Sequence, residues 1–122
     1  MGHIKGYDGG AGDFQMGPLT FMLNYPDHCV LYRFIPRSIT ETDMELVWYV
    51  NGDAVEGIDY IKDDLTWLWH ETSLEDEFII LRNSEGVNSH FFEPGPYHPE
   101  HESTCYEFIT WYLKALSQVK LS

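Results

Sequence analysis

Asp76 is the residue whose setting asks most for a chemical explanation. At about 100° per residue, a helix over Asp63–Glu85 gathers Leu65, Leu68, Trp69, Thr72, Ile79 and Asn83 into one sector, with Asp76 at its middle. An ionised carboxylate buried in an apolar stripe is costly unless something compensates it. The stripe therefore predicts a carboxyl that is protonated, paired with a cation, or bound to a metal. The arginines are Arg33, Arg37 and Arg82, and Arg82 falls on a flank of the same helix. A metal thus stands among the options, beside a plain salt bridge or a solvent-filled notch. One carboxylate with two imidazoles is the donor set of a facial-triad iron site, which leaves positions open for dioxygen.

The other constellations offer less. His98 and His101 form an HxxH with Glu100 and Glu102 nearby, but His98 precedes Pro99 in a turn, which favours an exposed corner over a metal site. Glu56, Asp59, Asp63 and Asp64 cluster without the spacing of a calcium loop, as a solvated acidic edge does. Gly9-Gly10-Ala11-Gly12 has no Lys-Ser/Thr ending and is flanked by Asp8 and Asp13, so it makes no phosphate cradle. Ser73 and Ser89 lack a nucleophile-elbow context. Cys29 and Cys105 belong to no CxxC pattern, which suits a reducing, cytoplasmic setting.

These residues need a scaffold, and 122 residues suffice for one domain. Hydrophobic residues make up 43% and charged residues 22%, a globular composition. Seven Lys+Arg against 20 Asp+Glu give a formal charge of −13, which repels nucleic acid and anionic lipid. No apolar run is long enough for a membrane span or a secretory leader. Aromatic residues reach 16%, enough to build a core or to line a site for apolar or cationic ligands.

Residues 1–18 are glycine-rich and read as a loop or disordered start. Leu19–Tyr25 alternates Leu19, Phe21, Leu23 and Tyr25 on one face. Pro26-Asp27-His28 supplies a turn, and Cys29–Ile35 returns. Met44–Val50 then sets Met44, Leu46, Trp48 and Val50 on one side. The short gaps predict an antiparallel meander in an α+β fold, its apolar face covered by a helix or another sheet. The long helix should end at Gly86 as its C′ residue, with Asp59, Asp63 or Asp64 as cap. Trp67, Leu74, Phe78 and Leu81 occupy its opposite sector, which predicts a helix sandwiched between two layers. After the corner at Glu93–Pro99, a final helix runs from about Pro99 or Glu100 to about Val119, with Cys105, Phe108, Ile109, Tyr112 and Leu116 as its stripe.

Several pieces, in order, carry a resemblance. They are Trp48-Tyr49-Val50, Asp53-Ala54-Val55-Glu56-Gly57-Ile58-Asp59-Tyr60, then Trp69, Thr72 and Glu75-Asp76. Asn83, Gly86-Val87-Asn88-Ser89, Pro94-Gly95-Pro96-Tyr97, Glu102 and Phe108-Ile109-Thr110-Trp111-Tyr112-Leu113 follow. Together they resemble the C-terminal part of the catalytic domain of Rieske-type non-haem iron oxygenase large (α) subunits, nearest the betaine/carnitine branch.

The resemblance implies a helix-grip fold, an antiparallel sheet wrapped on a long helix, related to START and Bet v 1 ligand binders. It implies that Asp76, in the Glu75-Asp76 pair, is the carboxylate ligand of a mononuclear iron(II), with Trp48, Trp69, Thr72 and Ile79 along the substrate pocket. It further implies a reductase or ferredoxin as electron donor to the complete enzyme. The substrate is a small aromatic or quaternary ammonium compound, hydroxylated on a ring or an N-methyl group with dioxygen.

Neither Cys29 nor Cys105 has the histidine partner of a Rieske cluster, and no two histidines show the family's iron-ligand spacing of about five residues on one helix. The expectation is therefore a partial catalytic domain over residues 19–122, without the Rieske domain and the iron-histidine helix. Such a chain binds iron(II) only when the missing half is supplied, is inactive alone, and self-associates through uncovered apolar strands. The alternative is a stand-alone helix-grip module that binds a small ligand without redox chemistry. In that case Trp48, Trp67, Trp69 and Tyr112 become wall residues. A remnant without activity is a third reading.

Overall fold

A computed structural model describes residues 9–119. Four strands and two helices follow in order: β1 (Gly12–Met16), β2 (Thr20–Asn24), β3 (His28–Pro36), β4 (Thr42–Val50), α1 (Lys62–Val87) and α2 (Ser103–Ser117). The strands form one antiparallel sheet in the order β1-β2-β3-β4. The chain divides into two compact units, one up to Leu81 and one from Arg82 onward.

The first unit holds the meander. Leu23 stands opposite Val30, and Val30 opposite Trp48; Phe21 pairs with Tyr32, and Tyr32 with Leu46. Because side chains alternate along a strand and cross-strand partners share a face, Phe21, Leu23, Val30, Tyr32, Leu46 and Trp48 line the same side. The alternations predicted for β2 and β4 thus fall on one surface, with Val30 fully buried at its centre. Phe21 and Phe34 meet edge to face there, ring centres 5.8 Å apart.

Residues 12–16, read as loop from their glycines, pair with β2 from Gly12↔Asn24 to Met16↔Thr20. Phe14 is 57% exposed, so no one-sided burial marks this strand in the sequence. Backbone pairing to β2 makes it, and Gly17, at φ 64°, takes the left-handed turn that a side chain would strain. Residues 1–8 of the expected loop lie outside the described residues.

A looped segment leads into α1. Asp59 Oδ2 accepts the Val55 N–H at 2.8 Å while the Asp59 N–H donates to the Val55 carbonyl at 2.9 Å, so Asp59 closes this loop. Asp63 and Asp64 sit in the first turn of α1, where carboxylates oppose the helix dipole. Gly86 lies inside the helix, which runs on to Val87, and it is not the C′ residue expected. Asn88 stops the helix chemically: its Nδ2 donates to the Ser84 carbonyl at 2.8 Å.

In the second unit, α2 starts at Ser103, later than the Pro99–Glu100 start expected. Phe108 stacks on Tyr112, ring centres 6.0 Å apart, and meets Trp111 at 5.8 Å. Of the predicted stripe, Phe108 and Ile109 are half-buried while Cys105, Tyr112 and Leu116 stay exposed. No helix among the described residues is long and apolar enough to cross a membrane.

Candidate functional site

The apolar face of the sheet receives the first half of α1. Trp69 reaches Tyr25 and Tyr32, with ring centres 6.1 Å away in each case and the Tyr32 ring edge-on. Tyr25 itself stacks on His28 at 4.8 Å and 20°. One turn beyond Trp69, Ser73 is only 6% exposed and donates from Oγ to the Trp69 carbonyl at 2.6 Å. Ser73 also hydrogen-bonds the Tyr32 side chain, tying β3 to α1. Leu65, Thr66 and Thr72 are half-buried around this line. The covered side of α1 therefore runs through Leu65, Thr66, Trp69 and Ser73, rotated by about one residue from the sector predicted.

From Leu74 to Leu81 every side chain of α1 is exposed. This corrects two expectations. The helix is not sandwiched there, and Asp76 is exposed rather than buried in oil. The physical reason is that the sheet reaches α1 only as far as Ser73, and the burial expected for Asp76 needs a cover the described residues do not supply. The charge of Asp76 nevertheless acts on Tyr32, where it opposes ionisation of the phenol.

The sequence-predicted residues are thus partly assembled. Trp48 lies on the sheet face and Trp69 packs against that face. Thr72 flanks the Trp69 turn, half-buried, and Ile79 is 62% exposed two turns on. Tyr25, His28, Tyr32 and Ser73 belong to the site without having been singled out. Alternation already placed Tyr25 with Phe21 and Leu23; Tyr32 and His28 needed the β2–β3 register.

Burial pushes the Tyr32 phenol above its ordinary range; the Ser73 hydrogen bond works the other way, and Asp76 and Tyr25 add to the rise. Tyr25 is raised too, by burial and then by Asp13, and burial raises the Cys29 thiol. A phenol whose folded pKa is raised contributes stability below its unfolded value near about 10, and that contribution is lost as pH climbs through the folded value. Asp76→Asn should therefore lower the Tyr32 titration and Ser73→Ala should raise it further, as read from tyrosine ring shifts by NMR across the alkaline range.

His98 and His101 are brought together but not as convergent ligands. Their rings stack 4.5 Å apart, and His98 Nδ1 accepts the backbone N–H groups of Glu100 and His101, both at 3.2 Å. The His98 N–H donates to Glu102 Oε2 at 2.6 Å, so this corner is a reciprocal cap ahead of α2. Among the described residues, no three His, Cys, Asp or Glu side chains gather to hold a metal ion. Asp76 alone makes no iron site, and these residues do not by themselves fit one.

Comparison with known proteins bears on this arrangement. A family model described as the ring hydroxylating alpha subunit (catalytic domain) matches residues 1–118. Glycine betaine monooxygenase oxygenase subunits of Pseudomonas aeruginosa and Chromohalobacter salexigens are each 34% identical to the chain over 112 residues. The match takes in 92% of this chain but 26% and 25% of theirs, so the chain spans about a quarter of the length of these relatives. An antiparallel sheet with a long carboxylate-bearing helix laid on its aromatic face, matched over nearly every residue, makes this chain a member of the ring-hydroxylating α-subunit catalytic-domain family.

Proposed function

We propose that the chain is the C-terminal catalytic-domain portion of a Rieske-type non-haem iron oxygenase of helix-grip fold. It contributes one iron ligand, Asp76, and the aromatic wall of a substrate pocket. The family implies non-haem iron, and iron with dioxygen supplies the oxygen-inserting chemistry in a complete enzyme. The remaining ligands, the Rieske cluster and the contact with a reductase or ferredoxin come from elsewhere than residues 19–122. By this reading the chain alone is catalytically silent.

The observation that carries the reading is the rings of Tyr25, Tyr32 and Trp69 on one sheet face, with Asp76 one turn past the Ser73 tie. Trp48 shares the sheet face, and Thr72 and Ile79 extend the wall along α1. Aromatic faces attract a methylated ammonium through their quadrupoles. The matched relatives are named for glycine betaine, which favours a small quaternary ammonium compound over an aromatic ring as substrate.

Purified aerobically, this chain should retain only substoichiometric iron by mass spectrometry and consume no dioxygen with glycine betaine and a reductant. Stoichiometric iron that survives a chelator would overturn the reading. Tryptophan quenching by the ligand without any such iron is the behaviour of the stand-alone binding module.

A further inference from the structure

The corner of the sheet face at the β2–β3 turn carries two nitrogens that the proposed oxygenase role does not use. His28 Nδ1 lies 2.8 Å from Asp27 Oδ1, so the ring N–H at that position donates to the carboxylate. The ring is clamped from the side by Tyr25 and its side chain is 16% exposed. Its other nitrogen, Nε2, has no hydrogen-bond partner among the described residues. Diagonally across β3 and β4, where His28 pairs with Val50 and Val30 with Trp48, stands Trp48. Residues on this diagonal have Cα atoms about 7–8 Å apart on a shared face. Trp48 Nε1 is buried with no hydrogen-bond partner among the described residues. A buried donor left unpaired costs about 1–3 kcal/mol, which an incoming acceptor recovers.

We propose that His28 Nε2, oriented by Asp27, and Trp48 Nε1 form an anchor for the carboxylate of a zwitterionic ammonium ligand. The inference rests on the ammonium reading of the aromatic wall and deepens it. Tyr25, Tyr32 and Trp69 offer ring faces to the cationic end, and the corner with His28 and Trp48 offers donors to the anionic end. Because Trp48 Nε1 is shut off from solvent in the ligand-free chain, the anchor requires its neighbours to give way to the oxygen.

With Asp27 holding one ring N–H, the ring takes up a proton as the carboxylate settles at Nε2 and then donates at both ends. The groups that face this ring are Asp27 and the Tyr25 ring in its own turn and Val50 opposite on β4; α1 reaches the corner through Trp69, which touches Tyr25. In a chain of charge −13, an anion needs such a local donor pair to be held.

The test titrates the chain with glycine betaine, choline and tetramethylammonium, which share the methylated nitrogen but differ at the carboxylate. Tryptophan fluorescence gives the affinities, and calorimetry in buffers of different ionisation heat gives proton uptake. Betaine should bind about tenfold more tightly than choline, as a hydrogen bond to a charged group implies. Betaine alone should bring a proton with it. His28→Gln should erase both the preference and the proton uptake. Trp48→Phe, which keeps a ring but removes the donor, should reduce the preference, and Asp27→Asn should do the same without touching the ring. Equal binding of betaine and choline, or a His28→Gln variant that keeps the preference, overturns the anchor while leaving the ammonium wall standing. Failure of all three ligands to bind removes the wall and the anchor together.

Discussion

Trp69→Ala should release α1 from the sheet. Trp69 touches both Tyr25 and Tyr32, so one side chain makes both of these ring contacts between helix and sheet. Truncating a large buried aromatic costs about 3–5 kcal/mol; a half-buried one belongs at the lower end, about 3 kcal/mol. Small domains have about 5–15 kcal/mol in total. Here Val30 is the one fully buried apolar side chain among the described residues, so the reserve is small.

The variant should lose its near-ultraviolet circular dichroism, and the amides of Leu65–Ser73 should exchange with solvent at nearly the rate of a free helix. Ile80→Ala, at a side chain 61% exposed, should shift the urea midpoint by no more than about 0.5 kcal/mol equivalent. Trp69→Phe should fall between, since it keeps a ring against Tyr32 and loses area. Equal effects at Trp69 and Ile80 would mean that the aromatic cluster does not hold the unit.

The contrast between these positions shows which parts of the structure a single sequence makes legible. The β2 and β4 strands announced themselves because each alternates against one face, and Leu23 and Trp48 lie on that face on either side of Val30 in β3. The β1 strand gave no such sign. Its Phe14 and Met16 stay exposed, and a strand held mainly by backbone pairing has no pattern of its own.

Helix α1 was legible in extent to within two residues, but its burial was not. Periodicity tells which residues share a side; it does not tell whether anything lies against that side. The sector through Asp76 was therefore drawn nearly correctly and its burial wrongly, since the sheet stops at Ser73. Pattern alone put Trp48 on the apolar side of β4 and Trp69 in the apolar sector of α1, and the two sit there. Tyr32 and His28 depend on the register set by the Tyr25–His28 turn, where the Tyr25 N–H meets the His28 carbonyl at 2.9 Å. Asp27 clamping His28 is a geometric fact with no sequence signature beyond adjacency.

Asp76→Ala should have the largest functional effect of any substitution, and only once the rest of the catalytic domain is present. The informative experiment joins residues 9–119 to the preceding portion of a matched glycine betaine monooxygenase oxygenase subunit and measures iron retention together with dioxygen-dependent turnover. Even partners outside the ligand shell are worth about 10–100-fold in metal affinity, so removing a ligand should cost at least about 100-fold and leave the joined protein iron-poor. Glu75→Ala is the matched control. It removes the same charge from the same exposed turn, so any loss caused by the local field or by helix stability appears in both variants.

A ligand role for Asp76 requires iron to fall in one and not in the other, with circular dichroism unchanged in each. In the isolated chain the two substitutions should be indistinguishable in stability, because both carboxylates are exposed there. If the joined protein kept its iron after Asp76→Ala, the Asp76 carboxylate would be a surface charge. The family's metal would then have to be held by other donors, and the exposed second half of α1 would be a packing surface alone.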